Sequence, residues 1–245
     1  ILATLIPADG DSATLASEPS TWQVEDLGNT GVDLTSIRLL TNGDGGGSGI
    51  RVDELRIATD WDSAVDGMVY LDGNIIAHDN FAYEAGAAIT NGNGGTGWTG
   101  AWIHTHPGTS PLLMNGTTNS LWFGNSEPFS YDGTGHIQGT KQKTAKRNLA
   151  AAHDLGAGPL YFAVLFRPFS NSTNNLVSAR FEFYDGTNGT GNMRLNVGLD
   201  DNDDADLDPN LYVQAATTGY PDATNSTLFA SNSIAGKNYL LVCKR

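Results

Sequence analysis

Residues Asp79 to Trp102 read DNFAYEAGAAITNGNGGTGWTGAW, and the fold turns on them. Phe81-Ala82-Tyr83 has the aromatic content of a short strand. Asn91, Gly92, Asn93, Gly94, Gly95 and Gly97 follow, a run so rich in glycine that it demands turns with positive φ. Trp98 and Trp102 close the stretch and require an apolar core to enter. Strand, tight turns and buried tryptophans in this order open a fold, although the stretch lies well inside the chain.

On its N-terminal side the sequence reads as a four-strand unit. Residues 1–7, ILATLIP, are a strand ended by Pro7, and Thr21 to Glu25 alternate apolar and polar as a half-buried strand does. Leu34 to Leu40 put Ile37 and Leu39 on one face and Arg38 on the other. A glycine-rich turn, Thr41 to Gly49, leads into Ile50 to Ile57. In that strand Ile50 and Val52 share one phase and Leu55 and Ile57 the other, which predicts a β-bulge or an inward-facing carboxylate at Asp53-Glu54. Ala58 to Ala77 is a connector with one hydrophobic patch.

On its C-terminal side Trp102 is followed by polar, loop-like sequence with a short strand around Leu121 to Phe123. Lys141 to Arg147, KQKTAKR, is the one basic run; with Asn148 to Leu155 it suggests a short helix with a solvated face, able to meet the acidic loop of a neighbouring copy. Leu160 to Phe166, LYFAVLF, is nearly continuous apolar and predicts a central strand. Ala179 to Tyr184 and Met193 to Leu199 alternate, with Phe181 and Phe183 inward and Arg180 and Glu182 outward. Leu211 to Gln214 and Tyr239 to Lys244 complete an all-β chain of about twelve to fourteen strands in two antiparallel sheets. No segment repeats at a fixed period, so a single module is expected.

Composition agrees. Thirty glycines and only 16% charged residues suit short strands and tight turns, and 245 residues that are 39% apolar suffice for one large sandwich. The net charge of −14 repels phosphate backbones and anionic lipid surfaces, which argues against nucleic acid as a partner. No apolar run approaches the roughly eighteen residues of a membrane-spanning helix, so membrane insertion is not expected. Cys243 is the single cysteine and forms no internal disulfide, which fits a secreted bacterial protein without proving one. Ile1 is a processing site, a boundary or a point within something longer.

The pattern Asp79-x-Phe81-x-Tyr83, then Asn93-Gly94-Gly95-Thr96-Gly97-Trp98-x-Gly100-x-Trp102, resembles the opening of concanavalin A-like, laminin-G-like jelly-roll modules of large secreted bacterial proteins, often found in tandem. Such modules close with a strand like Ile50 to Ile57 and a Trp-containing tail, here Trp61. The closing strand comes first in this chain. The resemblance therefore covers nearly all of it in permuted order: residues 1–66 look like the closing strands of a jelly-roll module and residues 67–245 like its opening and central strands. Residues 1–66 are too few to bury a core alone. They complete either their own module, as in a circular permutant, or that of a neighbouring copy.

Calcium is the candidate cofactor, at two places. Asp200 to Asp208, DDNDDADLD, concentrates carboxylates as hard cations prefer, with Asp200, Asn202, Asp204 and Asp206 as ligands; a solvated acidic loop is the plain alternative. It is not an EF-hand, since Ala205 stands where the turn requires glycine. The second place is implied by the resemblance, because many jelly-roll carbohydrate-binding modules hold an ion where first and last strands meet. The matching residues are Asp53 or Glu54 and Asp79 or Glu84, which otherwise are charges that guard a sheet edge.

His104 and His106 have the spacing of two zinc ligands on one strand face, but no third ligand is identifiable, and two loop histidines are the simpler reading. Trp22, Trp61, Trp122, Tyr131, Tyr184 and Tyr220 are available to stack on sugars, or to fill a core. Asn115, Asn171, Asn188 and Asn225 begin Asn-x-Ser/Thr triplets. Jelly-roll glucanases carry Glu-x-Asp-x-x-Glu on the catalytic strand, and neither Glu182 to Asp185 nor Asp53-Glu54 reproduces it. No other catalytic motif is present, so no enzyme is expected. The expectation is a non-catalytic subunit of an extracellular filament or cell-surface polymer, joined head to tail to identical copies. The alternative is a lectin-like module that binds polysaccharide, and a glycoside hydrolase comes third.

Overall fold

The computed structural model describes residues 2–7, 17–25, 33–42, 49–65, 73–84, 86–90, 92–104, 113–116, 121, 135–139, 143–169, 178–187, 193–200, 210–215, 226–228 and 237–245. They form a β-sandwich. The strands are β1 (Leu2–Pro7), β2 (Val24–Glu25), β3 (Asp33–Asn42) and β4 (Gly49–Ala58), then, after one short helix α1 (Trp61–Val65), β5 (Ile75–Asp79), β6 (Trp98–Ile103), β7 (Leu113–Gly116) and β8 (Gly135–Gly139). The long strands follow: β9 (Lys143–Asp154), β10 (Tyr161–Phe169), β11 (Ser178–Tyr184), β12 (Met193–Asp200), β13 (Asn210–Ala215), β14 (Ser226–Leu228) and β15 (Tyr239–Lys244).

Sheet A runs β2-β1-β15-β10-β4-β8-β7, with β5 also on β4; sheet B runs β14-β13-β12-β11-β3-β9-β6. The strand pairs are antiparallel. Strands from residues 1–66 enter both sheets: β1 lies on β15, β4 between β10 and β8, and β3 between β11 and β9. Both β3 and β4 are interior strands.

The core between the sheets is built by alternation. Ile37 and Leu39 of β3 and Phe181 and Phe183 of β11 meet Val52, Leu55 and Ile57 of β4 and Phe162, Val164 and Phe166 of β10. The Phe162 ring lies 4.8 Å from that of Phe181 and 5.0 Å from that of Phe183. A second apolar cluster covers the other face of sheet A, where Trp61, Ala64 and Val65 of α1, with Leu121, pack on Tyr161, Ala163, Leu165, Leu240 and Val242. Strand β10 is therefore buried on both faces, which explains its unbroken apolar run. Asp60 starts α1 by accepting from Ser63 N at 2.9 Å, as a helix N-cap does.

Three expectations change. Lys143–Asp154 is a strand, not a helix, and Lys146 and Arg147 are buried rather than part of a solvated face. Ala145, Arg147 and Leu149 alternate inward, a period of two that the cluster of charges obscures. Phe81 to Tyr83 is not a strand, because the backbone turns at Phe81 with φ 51°. The strand expected over Thr21–Glu25 is only Val24–Glu25. Leu121 stands outside any strand, and Trp122 and Phe123 are outside the described residues.

Candidate functional site

Two polar clusters lie within this framework, one at the junction of β4, β5 and the Asp79–Trp102 stretch, the other on the outer face of sheet B. The first begins with a bulge. Ala163 of β10 pairs with Arg56 and Leu165 pairs with Asp53, so Glu54 and Leu55 together oppose Val164. Glu54 absorbs the extra residue with φ 49°, a conformation that costs a non-glycine residue about 1–2 kcal/mol. The bulge returns Val52, Leu55 and Ile57 to the same core and resolves the phase slip in the sequence. It also marks where β4 changes neighbour along one edge, from β8 at Ile50–Val52 to β5 at Leu55–Ala58.

The carboxylates at the bulge are held from within the protein. Asp53 Oδ1 accepts from Glu54 N at 2.9 Å and Oδ2 from Leu121 N at 3.1 Å. Burial pushes the Asp53 carboxyl well above its usual range, the Glu54 charge adds to this, and the two backbone N–H groups only partly oppose it. Glu54 Oε2 lies 3.0 Å from His78 Nε2 and 3.4 Å from Arg56 Nη2.

Asp79 ends β5 on the opposite, core-facing side, beside Leu55 in register. Its Oδ1 accepts from Phe81 N at 2.9 Å, which forms the turn that replaces the expected strand. Its Oδ2 accepts from Tyr83 OH at 2.7 Å, Trp102 Nε1 at 2.7 Å and Arg147 Nη1 at 2.5 Å. Burial raises the Asp79 carboxyl above its usual range, and these four donors offset that in part. Arg147 reaches across from sheet B, donates from Nε to Gly100 O and from Nη2 to Asn93 Oδ1, and lies over the rings of Trp98 and Trp102. Gly95 and Gly97 let the turn press on β5: a Cβ there would stand 2.0 Å from His78 O and 1.9 Å from Ile76 O. The opening stretch thus winds around one buried ion pair.

Asp53, Glu54 and Asp79 are neighbours, but Asp53 faces the outer cover and Asp79 the core, and Glu84 is exposed. Asp79 is ringed by four donors that include a guanidinium, a setting that does not fit a cation. Among the described residues no group of three or more His, Cys, Asp or Glu could hold a metal ion. Asp200 ends β12, while Asn202, Asp204 and Asp206 lie outside the described residues. His104 is half-buried with Nδ1 2.8 Å from Thr144 O, and His106 is outside the described residues.

Of the aromatics, Trp61 and Tyr184 are buried, and Trp22 meets Trp61 edge to face at 6.3 Å on the cover of sheet A. Trp122, Tyr131 and Tyr220 are outside the described residues, as are Asn171, Asn188 and Asn225, whereas Asn115 lies in β7.

The second cluster is one that sequence reading missed. Lys146 of β9, Arg38 of β3, Glu182 of β11 and Asn196 of β12 are directly opposite one another in successive strand pairs, forming one row across sheet B. Glu182 is 1% exposed and takes an ion pair from Arg38, Arg180 Nε at 2.8 Å and the Tyr184 hydroxyl at 2.8 Å. Arg38 also lies over the Tyr184 ring at 5.1 Å. Desolvation and the Arg38 charge lower the Lys146 ammonium below its usual range. Alternation puts these residues on the face turned away from the core between the sheets, and Lys146, Glu182 and Asn196 are nevertheless buried there.

Compared with protein-family models, with curated proteins and with solved structures, the chain matches none.

Proposed function

We propose that this chain is a non-catalytic structural subunit or repeat of an extracellular filament or cell-surface polymer, built on a concanavalin A-like jelly roll and joined to identical copies by exchange of residues 1–66. The observation that carries the reading is the interior position of β3 and β4. In the single chain they fill slots bounded on both sides, β3 by β11 and β9 and β4 by β10 and β8. Without them residues 67–245 would leave those strand edges and both halves of the core bare. The same strands from a second copy would make the same pairings, so exchange trades one set of contacts for an identical set. Repeated in one direction such exchange does not close on itself, which makes a fibre.

Electron microscopy and light scattering of the native material over a range of concentrations test this. Filaments with an axial repeat of one module, together with growth of particle size with concentration, support it. Discrete monomers at every concentration would sink it and leave closure within one chain.

A lectin-like carbohydrate-binding module is the second reading, favoured by one observation: the row of polar and charged side chains across the outer face of sheet B. Calcium, at the acidic run from Asp200, belongs to either reading as a structural ion.

A further inference from the structure

We infer that the outer face of sheet A, where β4 pairs with β10, carries a binding site for a doubly charged oxyanion, a sulfate or phosphate group, held between the guanidinium groups of Arg51 and Arg167. The inference does not rest on filament assembly.

Strand register brings the two arginines together. Arg51 of β4 and Arg167 of β10 stand directly opposite each other. Their neighbours Val52 and Phe166 enter the core between the sheets, so alternation turns both arginines to the outer face. Residues opposite each other in an antiparallel pair have Cβ atoms about 5 Å apart, close enough for both guanidinium groups to meet one small ion. Like charges in this position destabilise a sheet. Burial, and then the Arg167 charge, lower the Arg51 guanidinium below its usual range. Arginines on other strand positions meet carboxylates: Arg38 and Arg180 lie on Glu182, Arg56 on Glu54, Arg147 on Asp79 and Arg194 on Asp185. Arg167 faces an arginine instead, and its buried Nε has no acceptor.

The pair lies where the burial of this face ends. One step along the same two strands, Asp53 and Leu165 are 1% and 0% exposed, and Leu121 packs over them. Arg51 and Arg167 are only half-buried, so solvent reaches both. The next outward position on β4 is Gly49, which brings no side chain over them. The carboxyl of Asp53, the nearest acid on the same face of β4, is taken up by Glu54 N and Leu121 N.

The chemistry of the ligand follows from the two groups. Planar guanidinium forks match oxyanions two oxygens at a time. Two of them carry two positive charges, which one sulfate or phosphate group balances and a chloride ion does not. β4 belongs to residues 1–66 and β10 to residues 67–245, so the bound group would also tie these two parts together, whichever copy supplies β4.

The test is titration calorimetry of the full chain with sodium sulfate, sodium phosphate and sodium chloride at matched ionic strength, and with a sulfated and a neutral disaccharide. Saturable binding of sulfate or phosphate, and none of chloride or the neutral sugar, is expected. Arg51→Met and Arg167→Met keep the apolar stem and should each weaken binding about tenfold or more. Arg194→Met removes one positive charge elsewhere and should leave binding unchanged. Tighter binding of the sulfated disaccharide than of inorganic sulfate upholds the site with its anion carried on a saccharide, and the opposite order upholds it for the free ion. Absence of saturable binding of sulfate, phosphate and the sulfated disaccharide, an equal response to chloride, or affinity unchanged in folded Arg167→Met would overturn the inference.

Discussion

Arg147 of β9 and Asp79 of β5 meet across the core of the sandwich, Nη1 to Oδ2 at 2.5 Å, with the Arg147 side chain 2% exposed and that of Asp79 fully buried. One residue comes from each sheet, so the pair ties the two layers together, and the tryptophans of the opening stretch pack around it. Removing one partner leaves the other charge buried and unpaired. Arg147→Met should therefore lower stability by about 3–5 kcal/mol, and Asp79→Ala by a similar amount. The double variant should lose less than the sum, by about 0.5–3 kcal/mol. Urea denaturation of the three variants measures this, and strict additivity would contradict it.

The turn before Trp98 gives a sharper comparison. Gly95, Gly97 and Gly100 all have positive φ, at 73°, 78° and 74°. A methyl group at Gly97 would collide with Ile76 O, whereas at Gly100 it meets open space. Gly97→Ala should cost more than about 2 kcal/mol and Gly100→Ala only about 1 kcal/mol. Equal shifts in melting temperature would show that close packing on β5 is not what makes Gly97 necessary.

Asp53 predicts a pH dependence. Its folded carboxyl holds a proton to higher pH than the unfolded one, which titrates near 3.8. Between these two values the folded state binds more protons, so the contribution of Asp53 to stability falls as pH rises through that window. Asp53→Asn removes the titration and keeps one oxygen acceptor. The stability of Asp53→Asn relative to the parent should improve as pH rises from the range of the unfolded carboxyl through that of the raised folded one, as read from thermal melts. A difference that stays flat, or that worsens with pH, would show that Asp53 is ionised in the fold throughout.

Fragments test the structural partition. Residues 1–66 and residues 67–245, produced separately, should each lack cooperative unfolding, because β3 and β4 are interior strands of both sheets. Mixed, they should form a folded one-to-one complex with the near-ultraviolet dichroism of the intact chain. Independent folding of either fragment would remove the basis for exchange between copies.

Calcium is tested by replacing the acidic run. Added calcium should raise the melting temperature of the parent, and Asn at Asp204 and Asp206 together should abolish the rise. Asp79→Asn should leave the calcium response intact, because its carboxylate is already occupied by protein donors. A rise that survives the Asp204 and Asp206 changes would place the ion elsewhere.

The sequence by itself determined the strands whose pattern depends on one neighbour at a time. Alternation in Ile37–Leu39, Phe181–Phe183 and Met193–Leu199 needs only a core on one side, and the phase slip at Asp53-Glu54 marks its bulge because a period of two tolerates no extra residue. The glycine-rich run before Trp98 likewise announced its turns, since positive φ is a local demand. What only the tertiary structure decided is where charges go. KTAKRNL looks like a solvated helix until Arg147 finds Asp79 on another sheet, sixty-eight residues away in sequence, and the pair offsets its own burial. Glu182 looks like an outward surface charge until Arg38 of β3, 144 residues away in sequence, closes over it. Burial of an ion depends on partners brought by distant strands, and no window of the sequence contains both.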